Sequence, residues 1–202
     1  MLAAVILAAG QSRRMGSPKA LVPYQGRAFL EHLLEITRHP QIGVRRIVLG
    51  ADAETIAHRF PLEPAEMVVN REWDKGQLSS IHAAILSLPA GPECASETST
   101  DGMLLCPVDH PVVSADLVDS LIRTFYSTRK LIVIPTHNGK RGHPVIFSRQ
   151  LYAELLDAPL EVGARAVVWA HASDIAEVPT HEGGVVLNLN DPQVLASLET
   201  AP

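Results

Sequence analysis

The stretch AAVILAAGQSRRMGSPKAL, residues 3 to 21, begins with an unbroken apolar run and passes directly into a glycine-containing loop carrying Arg13, Arg14 and Lys19. A strand that is apolar at nearly every position is buried on both faces, as in a parallel sheet covered by helices on each side. In an open sheet of that kind ligands sit where loops leave the carboxyl ends of the strands, so the basic loop is a candidate anion site. It matches neither G-x-x-x-x-G-K-[ST] nor G-x-G-x-x-G.

The pattern recurs along the chain. Short apolar, β-branched runs stand at RRIVLG (45–50), AEMVVN (65–70), GMLLCPV (102–108) and KLIVIPT (130–136), and amphipathic stretches lie around 27–38, 53–59, 77–88 and 114–127. This alternation predicts an α/β, Rossmann-like three-layer fold with a mixed, mostly parallel sheet. Ser114, followed by an acidic first turn, reads as a helix cap. After residue 137 the rhythm changes. HNGKRGHPVIFS (137–148) predicts a turn and a short antiparallel strand, with helices near 149–156 and 161–171. GGVVLNLNDP (183–192) predicts a final short strand and turn, with a closing helix from Pro192. The small-residue segment AGPECASETSTDG (90–102) reads as a mobile loop within one domain spanning 1–202.

Composition narrows the function classes. With 202 residues, 47% of them hydrophobic and 19% charged, the chain is long enough for a large core and is neither fibrous nor disordered. A formal charge of -5 argues against nucleic acid as a partner, and a basic loop on an acidic protein suits a small anion. The opening MLAAVILAAG has no basic leader and is broken by glycine, so it reads as a strand and not a signal peptide, and no stretch approaches a membrane span. Cys94 and Cys106 are read as reduced thiols of a cytoplasmic protein.

Four loops carry candidate chemistry. In AAGQSRRMGSPK, backbone N–H groups with Arg and Lys suit a polyphosphate; the alternative is a solvated basic turn. In CPVDHP (106–111), Asp109 at the end of a buried strand suits Mg²⁺, which takes one or two carboxylates plus substrate phosphates; the alternative is a helix-entry turn. DKGQLSSIHAA (74–84) offers Gln77 and Ser80 to a ribose or base, or else caps a helix through Asp74 or Ser79. GKRGHPVIF (139–147) sets Arg141 and His143 beside glycines, as an anion-binding lip or a tight hairpin. The chain contains no H-E-x-x-H, C-x-x-C or G-x-S-x-G, so metalloprotease, thiol-redox and serine-hydrolase readings lack a motif.

Taken together, LAAGQSRRMGSPKAL, KGQLSSIHA, PVDHP, RGHPVIFS and LNLNDP resemble, in order along nearly the whole chain, the MobA-like nucleotidyltransferases that attach a nucleotide to the molybdenum cofactor. The resemblance is greatest to their cytidylyltransferase branch. It implies a nucleotide-diphospho-sugar transferase fold with one antiparallel strand. It also implies that the terminal phosphate of molybdenum-bearing molybdopterin attacks the α-phosphorus of CTP with Mg²⁺ present, releasing pyrophosphate. In such a site Leu7, Ala8, Ala9, Gly10, Arg13 and Gly16 hold the nucleotide, with Gln77 and Ser80 near the base. Arg14 neutralises the leaving pyrophosphate, Lys19 stabilises charge at the α-phosphate, and Asp109 carries the metal. Arg141, Gly142, His143 and Pro144 face the pterin.

The guanylyl branch typically opens L-A-G-G and the cytidylyl branch L-A-A-G, so Ala9 points to CTP. Two departures stand out. Where many relatives read D-I-D-T-P or N-I-N-T-P this chain has NLNDPQ, leaving Asn190 and Asp191 as alternative second metal ligands, and Ile81–His82 replaces a common Leu-Arg. The alternatives are the same chemistry with GTP or another small phosphorylated acceptor, or a non-catalytic carrier that delivers cofactor to a client molybdoenzyme.

Overall fold

The computed structural model describes residues 1–12, 15–89, 100–190 and 193–195. Strand β1 (Leu2–Ala8) is buried at every position. It pairs in parallel with β4 (Ile42–Leu49) on one side and β6 (Gly102–Pro107) on the other. Beyond β4 lies β5 (Met67–Val69), also parallel. Beyond β6 lies β9 (Val145–Ser148), antiparallel both to β6 and to β7 (Ile132–His137), and β10 (Ile175–Pro179) closes the far edge parallel to β7. The order is therefore β10-β7-β9-β6-β1-β4-β5, with the short β8 (Lys140–Arg141) added antiparallel to β7.

Alternation along β1 builds two core layers. Leu2, Ile6 and Ala8 pack with α1 (Phe29–Ile36), α2 (Ala53–Arg59) and α4 (Ala115–Thr128), whereas Ala3, Val5 and Leu7 pack on α3 (Gln77–Ser87), α5 (Tyr152–Asp157) and α6 (Arg165–Ala170). Fully burying one such Leu or Ile side chain contributes about 1.5–3 kcal/mol, so the run at 2–8 anchors both layers. The α/β fold with a mixed, mostly parallel sheet and a single buried antiparallel strand is the one the sequence predicts. Ser114 caps α4 as expected, its Oγ accepting from Leu117 N at 3.1 Å.

Three expectations are corrected. Residues 183–186 form a 3-10 turn, not a final strand, because the consecutive glycines let the backbone press against Val112. The last strand is instead β10, whose largely half-exposed edge positions give little apolar signal. The expected helix at 161–171 begins only at Arg165, after a turn in which left-handed Gly163 (φ 75°) donates to Pro159 O at 2.9 Å. At residue 27 the chain first completes a hairpin of β2 (Pro23–Tyr24) and β3 (Arg27–Ala28); Gln25 and Gly26, both at positive φ, form its two-residue turn. The expectation of a mobile loop falls mostly on 90–99, and Cys94 and Pro192 lie with it outside the described residues.

Cys106 is 1% exposed in β6, and burial pushes its thiol up to about 12. A thiol held neutral in a close-packed layer is inert. Alkylation at neutral pH followed by peptide mass spectrometry is expected to leave Cys106 unmodified in the folded protein and to label it fully in denaturant.

Candidate active site

The carboxyl ends of β1 and β6 and the segment that leads from β5 into α3 enclose one cavity of about 220 Å³. Its walls come from Leu7, Ala9 and Gly10 after β1, Gln77 and Ser80 on α3, and Asp109 beyond β6. The loop after β1 is tied back on itself: Ser12 Oγ accepts from Lys19 N at 2.8 Å and Ser12 O from Met15 N at 3.0 Å, while Gly16 turns through a positive φ of 68°. These bonds aim the Lys19 side chain inward. Its ammonium sits 3.4 Å from Asp109 Oδ2 and also donates to Asn190 Oδ1. A cation and two oxygen ligands, far apart in sequence, thus meet at one edge of the cavity, with the Lys19 and Asp109 side chains only about a fifth exposed.

Asn190 is brought there by a strap, residues 182–190, that crosses the loop after β6. Leu189 N donates to Asp109 O at 2.9 Å, and Glu182 accepts from Ser114 N and Oγ at 2.9 and 2.6 Å. Two oxygens converging on an ammonium are a fitting partial set for Mg²⁺, which takes its remaining ligands from phosphates and water. Among the described residues no group of three or more His, Cys, Asp and Glu could hold a metal ion.

Directly after β5, Asn70 is 5% exposed. Its amide nitrogen donates to Ser79 Oγ at 2.9 Å and Ser80 Oγ at 3.1 Å, and its oxygen accepts from Glu72 N at 2.9 Å. Ser79 also donates to Glu72 O and Gly76 O, both at 2.8 Å. This network holds the first turn of α3, which no side chain caps, so the capping alternative for Asp74 and Ser79 is corrected. Ser80 also lines the cavity, and a serine hydroxyl that accepts one hydrogen bond can still donate.

A second cavity of about 390 Å³ adjoins the first and shares Gln77 with it. Arg141, Gly142 and His143 line it over an apolar floor of Leu105, Ile134 and Phe147. Arg141 is paired with Glu177 at 2.8 Å, so its charge is already balanced. His143 packs against His110 with ring centroids 4.8 Å apart and planes tilted by 54°, and burial pushes it down to about 4, so it presents a neutral imidazole. A further cavity of about 510 Å³, beside Asp101, Arg129 and Arg149, lies at the opposite end of β6 and β7, away from these loops.

The structure therefore gathers Leu7, Ala9, Gly10, Lys19, Gln77, Ser80 and Asp109 around one cavity, with Asn190 against Lys19, and Arg141 to His143 around the next. It does not bring in Ala8, whose side chain packs in the opposite core layer, or Gly16 and Pro144, which line neither cavity. Arg13, Arg14 and Asp191 lie outside the described residues. Sequence reading missed Asn70, Trp73 and Arg165. A polar residue closing the apolar run MVV was the available sign for Asn70; nothing local marks Arg165, which α6 carries to the second cavity.

Residues 4–175 match the profile of the MobA-like NTP transferase domain. The chain belongs to this family. Curated relatives of this MobA-like chain include the probable molybdenum cofactor guanylyltransferase of Mycobacterium marinum, 30% identical over 94% of this chain and 89% of its own. Another is the nicotine blue oxidoreductase of Paenarthrobacter nicotinovorans, 33% identical over 73% of this chain and 71% of its own. Among solved structures, Rv0371c of Mycobacterium tuberculosis superposes with a TM-score of 0.78 at 24% identity, covering 100% of this chain and 99% of its own, and it has also been solved in complex with manganese. The CMP:2-keto-3-deoxy-manno-octonic acid synthetase in complex with CTP superposes with a TM-score of 0.69 at 13% identity, covering 98% of this chain and 97% of its own. These likenesses establish the nucleotide-diphospho-sugar transferase fold. Those two curated relatives are a guanylyltransferase and an oxidoreductase, so they support the MobA-like family but not the cytidylyl branch in particular. Among the described residues no helix is long and apolar enough to cross a membrane.

Proposed function

We propose that this MobA-like chain transfers a nucleotidyl group from a nucleoside triphosphate to the terminal phosphate of a molybdopterin. The observation that carries the reading is the convergence of Lys19, Asp109 and Asn190 at one edge of a cavity whose far side offers Gln77 and Ser80. A cation beside a carboxylate and an amide oxygen, next to a second cavity, is the arrangement that joining two phosphorylated substrates requires.

Phosphoryl-type transfer asks the protein mainly for positioning and charge stabilisation. Ala9, Gly10 and the N-terminal end of α3 would orient the nucleoside, with Ser80 donating and Gln77 able to donate and accept. The second cavity would seat the pterin, where Arg165 supplies a cation and neutral His143 a hydrogen-bonding edge. An oxygen of the acceptor phosphate forms a bond to the α-phosphorus as the bond to the bridging oxygen breaks, and pyrophosphate leaves. Lys19 would stabilise the charge that builds on the α-phosphoryl oxygens. Asp109 Oδ2 and Asn190 Oδ1 would hold Mg²⁺, which supplies charge neutralisation to the triphosphate.

Ala9 supports CTP as the nucleotide, and the guanylyl names of the relatives support GTP as the second reading. A thermal-shift panel of nucleoside triphosphates with Mg²⁺, followed by pyrophosphate release with molybdenum-loaded molybdopterin, tests both parts. A ligand that binds only the folded state raises its melting temperature, so the stabilising nucleotide identifies the base. Pyrophosphate formed only with both substrates present is the expected result. Its absence with CTP and GTP alike, in protein that binds them, rules out the transferase reading in favour of a carrier or another chemistry.

A further inference from the structure

Trp73 opens the 3-10 turn Trp73–Lys75 between β5 and α3, and its side chain lines the 220 Å³ cavity beside Ala9 and Ser80. Gly50, just after β4, shows how closely Trp73 and Ala9 are held. A Cβ built on it would lie 2.4 Å from Ala9 O, 2.8 Å from Ala9 Cβ and 2.7 Å from Trp73 Cβ. Ala9 is fixed in turn by Ala51 N, which donates to Ala9 O at 3.0 Å. The methyl of Ala9 and the root of the Trp73 side chain thus both crowd over one glycine.

The strand order locates the two ends of the cavity. Asp109 follows β6, on one side of β1, whereas Trp73, carried by the segment after β5, reaches back over Gly50 beyond β4, on the other side of β1. Lys19 and Asp109 mark the charged end. Among the described residues lining the cavity, Trp73 is the aromatic one, and the groups beside it, Gly76, Gln77 and Ser80, are small or neutral hydrogen-bonding residues. An indole face flanked by an amide and a hydroxyl is suited to a nucleobase, which stacks by its face and is read at its edge.

We propose that Trp73 is the platform on which the nucleobase lies, and that Ala9 is a positioning residue that sets base preference by seating Trp73. The proposal rests on the reading that this cavity takes a nucleoside triphosphate. Because Trp73 and Trp169 are the two tryptophans of the chain, and Trp169 is an exposed residue on α6, Trp169→Phe leaves Trp73 as a single fluorescent reporter.

In that background CTP or GTP is expected to quench Trp73 emission saturably, and inorganic triphosphate is not. By calorimetry, Trp73→Leu is expected to weaken the preferred nucleotide about tenfold or more, while Trp73→Phe keeps most of the affinity. Ala9→Gly is expected to change the CTP-to-GTP affinity ratio at least fivefold with Trp73 present and to leave it unchanged in the Trp73→Leu background. Circular dichroism of each variant checks folding, and Trp73→Phe preserves the test should Trp73→Leu fail to fold. Equal quenching by inorganic triphosphate overturns the proposal, as does an Ala9→Gly effect that is the same with and without Trp73. If the folded protein binds no nucleoside triphosphate, the functional reading fails together with the proposal. If it binds them but neither the fluorescence nor the affinity ratio responds, the assignment of Trp73 alone fails.

Discussion

Replacing Lys19 with alanine is expected to slow pyrophosphate release by about two to three orders of magnitude, the usual cost of removing one group that stabilises developing charge. The ammonium lies at one edge of the cavity between Asp109 and Asn190, where the proposed reaction would place the phosphates. The effect should therefore fall on kcat more than on KM, since the groups proposed to orient the nucleoside at the α3 end are untouched. Lys19→Ala should also bind Mn²⁺ more tightly than the parent in the absence of nucleotide, because the cation that faces the two oxygens is gone. Single-turnover kinetics and Mn²⁺ titration followed by electron paramagnetic resonance check the two parts. Turnover within threefold of the parent would show that charge stabilisation comes from elsewhere.

Gly184→Ala is expected to destabilise the protein by about 1–3 kcal/mol, through overpacking. A Cβ at this position would lie 1.7 Å from Val112 O and 2.8 Å from Val112 C, so either the strap or the loop after β6 must move. Both carry the site: the strap delivers Asn190, and Leu189 N holds Asp109 O. For a chain of this size the change should lower Tm by roughly 2–4 °C per kcal/mol and weaken Mn²⁺ binding alongside it. The neighbouring Gly183 is an internal control. Its added Cβ would meet His137 Nε2 only at 3.8 Å, so Gly183→Ala should leave both quantities nearly unchanged. Equal behaviour of the two variants in thermal melts would refute the steric account.

The site shows how far local sequence can be read. Asp109 was legible because a carboxylate just beyond a continuous apolar run falls at the carboxyl end of a parallel strand, where ligands bind. Lys19 was legible from a loop that holds glycine and cations after the first such run. Asn70 and Trp73 follow β5 in the same way, but that run is only three residues long and the hydrogen bonds that fix Asn70 reach across to α3. Arg165 had no local sign at all. The error at 183–186 has a similar origin. A pair of glycines before a β-branched pair fits a strand as well as a close-packed turn, and what selects the turn is the carbonyl of Val112, remote in sequence.

By itself the sequence determined the layers and the side of the sheet on which chemistry sits, because continuous apolar runs bury both faces of a parallel strand and loops at the carboxyl ends must carry the polar groups. It did not determine which polar groups meet. Lys19, Asp109 and Asn190 are brought together only when the strap crosses the loop after β6, and Ala9, Gly50 and Trp73 only when β1, β4 and β5 lie side by side. Those contacts depend on strand order and close packing between distant segments, which periodicity along the chain does not encode.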